Sequence, residues 1–266
     1  MKALGRYATL FVFLCRMSLM RQMAYRPHFF LMVLGKVIRM LLLLLFFQAV
    51  FFKVDALGRW TFDQVLLLFA TFHMVDYLMS ITFQRNLSYH LPALIQNGNL
   101  DSRMILPVNL LFLASLESID MMDLFSFIPC IGLLAYALHR LEFEFTWLQA
   151  LMYGLLVMNA LVFLFAVVLI VAAISFWTTQ SAGLGRIFDD LTRIGRYPLD
   201  IFEGFWKFFF IYVLPLALIA QTPSQALLGT LAPGFVLYAF VFSSLLAIIA
   251  VGFWKMGLRT YSSTSS

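Results

Sequence analysis

The sequence predicts an all-α, polytopic membrane protein: six transmembrane helices preceded by an N-terminal interfacial amphipathic helix, in one domain over residues 1–266. Three observations carry this prediction. Of the 266 residues, 63% are hydrophobic and only 12% charged, against roughly 45–50% and about 25% in an ordinary soluble domain. The mean hydropathy is +0.93. Six runs reach the roughly 20 mainly apolar residues that a spanning helix needs. As a water-soluble globule, the chain would expose far more apolar surface than monomers tolerate. A soluble enzyme, a nucleic-acid reader and a disulfide-stapled secreted domain are therefore excluded. Cys15 and Cys130 lie too far apart for a metal-ligand motif and read as apolar packing residues. The apolar runs are continuous rather than alternating, which favours helices over a β-barrel.

The elements follow in order. Residues 1–28 predict a helix lying in the membrane interface, because Lys2, Arg6, Thr9 and Arg16 share one arc at helical spacing. Arg16, Arg21 and Arg26 interrupt the apolar run and argue against a signal peptide. The spans are expected near 29–52, 62–84, 112–138, 147–174, 204–221 and 233–255. Between the second and third lies a polar loop, 85–109, with a short helix from Pro92 to Asn97 ending at Gly98. Residues 177–207 read as a second connection on the same side, with an interfacial helix marked by Phe188, Leu191 and Ile194. Pro215, Pro223 and Pro233 make the fifth span a kinked helix followed by a shallow outer turn. Phe205, Trp206, Phe208, Phe209, Phe210 and Tyr212 are expected to anchor that span at the cytoplasmic interface, an aromatic drug-binding face being the other reading.

Orientation comes from the basic residues. Thirteen of the eighteen fall in the N-terminal segment, the two connections and the tail, against Lys53, Arg59 and Arg140 opposite. Both termini and both connections are therefore expected in the cytoplasm.

The chain has no G-x-x-x-x-G-K-[ST] phosphate loop, so the sequence predicts no nucleotide site of its own. The Gly183–Gly185 pair reads as a turn, Asn86-Leu87-Ser88 as a chance glycosylation sequon, and the four histidines lack metal-binding spacing. Ionisable groups inside spans carry more information, since each costs about 2.5–3.5 kcal/mol at a helix centre and needs a partner, water or a function. Lys36 and Arg39 sit three apart in the first span, as do His73 and Asp76 in the second. Glu117, Asp120 and Asp123 form an i, i+3, i+6 ladder near the start of the third. Two readings stay open: the ladder is neutralised by Lys36 and Arg39 or by the helix macrodipole, or Asp76, Glu117, Asp120 and Asp123 line a cavity for a cationic or zwitterionic substrate.

Several stretches resemble the ABC-2 type permeases, specifically a bacterial subfamily long described only as a domain of unknown function. They are Gly195-Arg196-Tyr197-Pro198-Leu199-Asp200-Ile201-Phe202, Val213-Leu214-Pro215-Leu216-Ala217 and Pro223 to Gly229, with Asn97-Gly98-Asn99-Leu100-Asp101 leading to Leu106-Pro107. The likeness covers essentially the whole chain. It implies a separate ABC ATPase in two copies, which binds ATP and magnesium, and a second permease that is either the same chain or a paralogue. It also implies a coupling helix over Leu91–Arg103, including Leu94, Gly98 and Asp101, that docks on the ATPase. The expected function is export from the cytoplasm across a bacterial inner membrane by alternating access, with cationic toxic compounds as one substrate class. A lipid or glycan exporter, a proton-coupled secondary transporter using Asp76 and His73, and a membrane-embedded lipid enzyme are the alternatives.

Overall fold

The computed structural model describes residues 2–24, 26–142, 145–178 and 182–261, with the backbone alone at 2–4, 26 and 182–184. The side chains of Lys2 and Arg26, counted above for orientation, lie outside the described residues.

The described chain is mostly helical, with no strand among the described residues. A 22-residue helix, α1 (Lys2–Met23), leads into α2 (Arg26–Phe51). After a turn over residues 52–61, α3 (Phe62–Met79) continues through two π-helical stretches, Ser80–Gln84 and Asn86–His90, into α4 (Leu91–Gln96). Short helices α5 (Asp101–Met104) and α6 (Leu110–Leu116) precede α7 (Met121–Arg140) and α8 (Trp147–Ala173). Then come α9 (Ala182–Thr192), α10 (Gly204–Phe208), α11 (Gln221–Leu227) and α12 (Pro233–Thr260).

Among the described residues, five helical stretches are long and apolar enough to cross a membrane: Pro27–Phe51, Phe62–Gln84, Met121–Arg140, Trp147–Phe176 and Pro233–Thr260. The central one is α3, whose face from Val65 to Val75 is almost wholly buried. It is wrapped by α2, α7, α8 and α11, while α12 packs along α8.

The bundle has two distinct ends. At the first, α1 lies against the α6–α7 junction: Gln22 donates to the Ile119 carbonyl at 2.9 Å and accepts from the Met121 amide at 2.9 Å. The turn before α3 marks the far end, where Arg140 at the end of α7 meets Asp63 at 3.1 Å.

The sixth traverse is not where the hydropathy placed it. Residues 204–221 do not form a span. The helix after Gly204 widens to a π-turn over Phe209–Val213, breaks at Leu214 and Pro215, and gives way to a single 3₁₀ turn at Leu216–Leu218. Pro215 supplies no amide hydrogen and ends the ladder. The chain then dips into the bundle and returns as α11, with Leu216 to Ser224 buried.

Residues 182–201 run the length of α3 instead. At the α1 end Gly185 sits beside Ser88, and Asp189 accepts from Gln84 at 2.8 Å. Arg196 then passes over the Phe72 ring, 5.4 Å from its centroid, and at the far end Asp200 accepts from the Trp60 indole at 3.0 Å. The expectation that 177–207 stays on one side is corrected by these contacts. The aromatic cluster from Phe205 to Tyr212 accordingly sits at the far end, where Tyr212 packs against Phe235 and Tyr238 at the start of α12.

The third span also starts later than expected. The chain breaks between α6 and α7, so Glu117 caps the end of one helix and Asp120 opens the next. Glu117, Asp120 and Asp123 do not share one helix face, and the ladder dissolves.

Candidate functional site

Within this apolar bundle lies a polar cavity of about 170 Å³, bounded by α2, α3 and the 182–201 traverse. Lys36 and Arg39 face it from α2, His73, Asp76 and Tyr77 from α3, Ser80 and Gln84 from the π-helical stretch that continues it, and Asp189, Thr192, Arg193 and Arg196 from the traverse. A second polar compartment, about 320 Å³, shares Ser80, Gln84 and Asp189 with it and continues past Arg85, Tyr89, Asp120 and Asp123 toward the α1 end. Together they make a polar path from that end to the middle of the bundle.

Local chemistry explains how these groups are held. Asp120 is the N-cap of α7 and accepts from the Met122 and Asp123 amides at 3.0 and 3.4 Å, the usual use of a carboxylate at a helix start. Its other oxygen meets Arg85 at 3.2 Å. Asp123 pairs with Lys36 across the α2–α7 contact, and Glu117 pairs with Arg103 at 2.7 Å. Asp189 accepts from Gln84 and, at 3.2 Å, from the Tyr89 hydroxyl. Arg193 pairs with Asp190 at 2.6 Å.

Buried Asn86 fixes the π-helical stretch after α3: its amide donates to the carbonyls of Ser115 and Ser118 at 2.8 and 2.7 Å, and its oxygen accepts from the Ser118 amide at 3.1 Å. These bonds pin the α3–α4 connection to the α6–α7 break. The wider π-turns tilt the register so that Gln84 and Tyr89 both reach Asp189.

Three of the four acidic residues singled out from the sequence thus have ion-pair partners. Asp76 is the one without an ion pair among the described residues, and it interacts electrostatically with Asp123 and Asp189 as well as with Arg196 and Arg39. Arg39 makes no ion pair with these residues among the described ones, although its charge acts on Asp123; it lies in the cavity lining with Asp76. Sequence reasoning missed Asp189, Arg193 and Arg196 as cavity residues because they sat in a stretch taken for a surface connection.

The profile of a family described as ABC-2 family transporter protein matches residues 37–265. The chain belongs to the ABC-2 transporter family. A comparison with curated proteins gives no match. An ABC-2 chain is the membrane component of an ABC transporter and lacks a nucleotide-binding domain, so the family implies an ABC ATPase as partner. The matched region takes in α3, the traverse and every cavity residue except Lys36.

Within this ABC-2 chain the region expected to couple to the ATPase is a compact hairpin at the α1 end. Pro92 opens α4, and Gly98, at φ +69°, closes it while the Asn99 amide returns to the Leu94 carbonyl at 2.9 Å. Leu91 and Leu100 are buried and anchor the hairpin, Leu94 is half-buried, and Ala93, Gln96, Asn97 and Asn99 are exposed. Arg103 ties the hairpin to α6 through Glu117, and Asp101 opens α5. Burial in this hairpin also acts on His90, whose pKa is lowered by desolvation and then by the nearby Arg85 charge.

Proposed function

We propose that this chain is the permease subunit of an ATP-driven exporter that works by alternating access. Two permeases, identical or paralogous, pair with two copies of an ABC ATPase, and ATP and magnesium bind on that ATPase. The α1 end faces the cytoplasm of a bacterial inner membrane. With the traverse at 182–201, ten basic residues lie at the α1 end against Lys53, Arg59, Arg140 and Lys207 at the far end, which supports that orientation. Coupling enters through the hairpin over Leu91–Arg103, with its exposed residues meeting the ATPase and Leu91, Gly98 and Arg103 holding its shape.

The observation that carries this reading is the polar path ending in a charged cavity inside an otherwise apolar bundle. Ionisable groups at such depth mark substrate or ion pathways. Substrate enters from the α1 end past Asp120 and Asp123 and meets Asp76. A substrate with an anionic group fits better than a purely cationic one, because Arg39 and Arg196 face the cavity with no ion pair among the described residues, while Glu117, Asp120 and Asp123 are already paired. This favours a lipid or glycan exporter over a pump for cationic toxic compounds.

The test is reconstitution with its cognate ABC ATPase, followed by uptake into inverted vesicles. Uptake that requires ATP and the ATPase supports the reading. Transport that follows a proton gradient without the ATPase overturns it.

A further inference from the structure

Arg39 stands twelve residues from each end of the 25-residue apolar span Pro27–Phe51, about 18 Å along the helix from either end. A guanidinium at that depth is retained where it is paired or faces a polar cavity. Arg39 faces the cavity, yet among the described residues it makes no hydrogen bond or ion pair.

Arg196 enters the same cavity from the traverse. Its Nε donates to the Arg193 carbonyl at 2.9 Å and its guanidinium lies over Phe72, while no carboxylate stands at ion-pair distance among the described residues. Lys36 and Arg193 are met by Asp123 and Asp190. With Lys36 and Arg193 paired, Arg39 and Arg196 are the cavity cations left without an ion pair among the described residues, and Asp76 and Asp189 are the carboxylates that share the lining with them. Asp189 already accepts from Gln84 and Tyr89, and Asp76 interacts electrostatically with both arginines without reaching ion-pair distance of either.

We propose that this cavity is a mid-membrane binding site for a phosphate-bearing anionic group, gripped by Arg39 and Arg196. Guanidinium forks match phosphate oxygens, and His73 and Tyr77 belong to the same lining. At about 170 Å³ the cavity is smaller than the roughly 300–1,000 Å³ of sites that enclose a whole ligand, so it takes a head group and leaves the rest outside. The proposal rests on the exporter reading, but binding and ATP-driven transport are separate measurements, so either can fail alone.

The test is calorimetric titration of the purified full chain in a neutral maltoside detergent with short-chain phosphatidic acid, inorganic phosphate and tetraphenylphosphonium. Phosphatidic acid is expected to bind. Arg39→Gln and Arg196→Gln should each weaken it by about tenfold or more, the loss of one charge-assisted contact. Arg186→Gln, which removes the same charge from an exposed position on α9, should leave binding unchanged. Asp76→Asn should tighten binding severalfold, a gain that misfolding cannot produce. Inorganic phosphate binding as tightly as the lipid assigns the site to the free anion; binding of the lipid alone assigns it to a lipid head group. The proposal is overturned if neither phosphate probe binds, if both arginine variants bind like the wild type, or if tetraphenylphosphonium binds instead and Asp76→Asn weakens it.

Discussion

The indole N–H of Trp60, in the turn before α3, donates to the Asp200 carboxylate at 3.0 Å, although 140 residues separate the two. Gly58 makes this approach possible: it holds φ at +62°, and a Cβ there would come 2.9 Å from the Asp200 Cβ. Lys207 closes the cluster with an ion pair to Asp200 at 2.7 Å. One carboxylate thus ties the end of the polar traverse to the start of α3.

That tie predicts a topology. In a variant lacking Cys15 and Cys130, a cysteine at exposed Glu203 should react with a membrane-impermeant maleimide from the same side as one at Arg59. A cysteine at Ser102 should react from the opposite side. If Glu203 labels with Ser102, residues 182–201 do not cross and the sixth span lies elsewhere.

The same carboxylate predicts a pH dependence. Burial alone would raise the Asp200 pKa above its ordinary 3.8, but hydrogen bonds from Lys207 and Trp60, with the Lys207 charge, hold it below. A depressed carboxyl stabilises the fold fully above its unfolded pKa, and that contribution fades as pH falls through the lower folded value. Thermal unfolding in detergent should therefore show a loss below about pH 4 that Asp200→Asn reduces. At neutral pH Asp200→Asn should itself cost about 1.5–3 kcal/mol, the range for hydrogen bonds to a charged group. An unchanged melting temperature at neutral pH would remove Asp200 from the stabilising cluster.

How much of this was legible in the sequence depended on what each stretch faces. The five apolar spans were readable because lipid-facing and core-facing positions are both apolar, so hydropathy alone finds them. The traverse from Ala182 to Ile201 was not. Asp189, Arg193 and Arg196 face a cavity rather than lipid, and at this spacing they look like a solvated connection. The aromatic run from Phe205 to Tyr212 then resembled a span, although Pro215 marked the break. The α4 helix and its Gly98 stop were legible because local turn chemistry dictates them. The macrodipole reading placed Asp120 near a helix start, but taking Glu117, Asp120 and Asp123 as one face missed the break that makes Asp120 a cap.

The contact between Lys36 and Asp123 joins α2 to α7, with the Asp123 side chain only 8% exposed. Removing one partner leaves a buried charge alone, so Lys36→Met or Asp123→Leu should each destabilise by roughly 3–5 kcal/mol, whereas the double apolar variant should recover most of the loss. Detergent melting curves of the four proteins test this. Additive losses would mean that the two charges do not interact. The pairing also predicts that swapping Lys36 with Glu117 rescues nothing, since Glu117 belongs to Arg103.

Gly98 sits at φ +69°, in the left-handed region where its amide and the two that follow return to the carbonyls of Leu94 and Ile95. An alanine there is strained by about 1 kcal/mol, which is small against the whole fold but concentrated in one short hairpin. Leu91 and Leu100, both buried, should hold the hairpin in place while its tip loses its shape. Gly98→Ala should therefore leave the melting temperature nearly unchanged and lower ATP-driven transport, with ATP hydrolysis by the complex no longer matched to it. Gly98→Asn should recover part of the coupling, because asparagine tolerates the left-handed region better than alanine. Equal transport in all three proteins would show that the tip of this hairpin does not carry the motion from the ATPase.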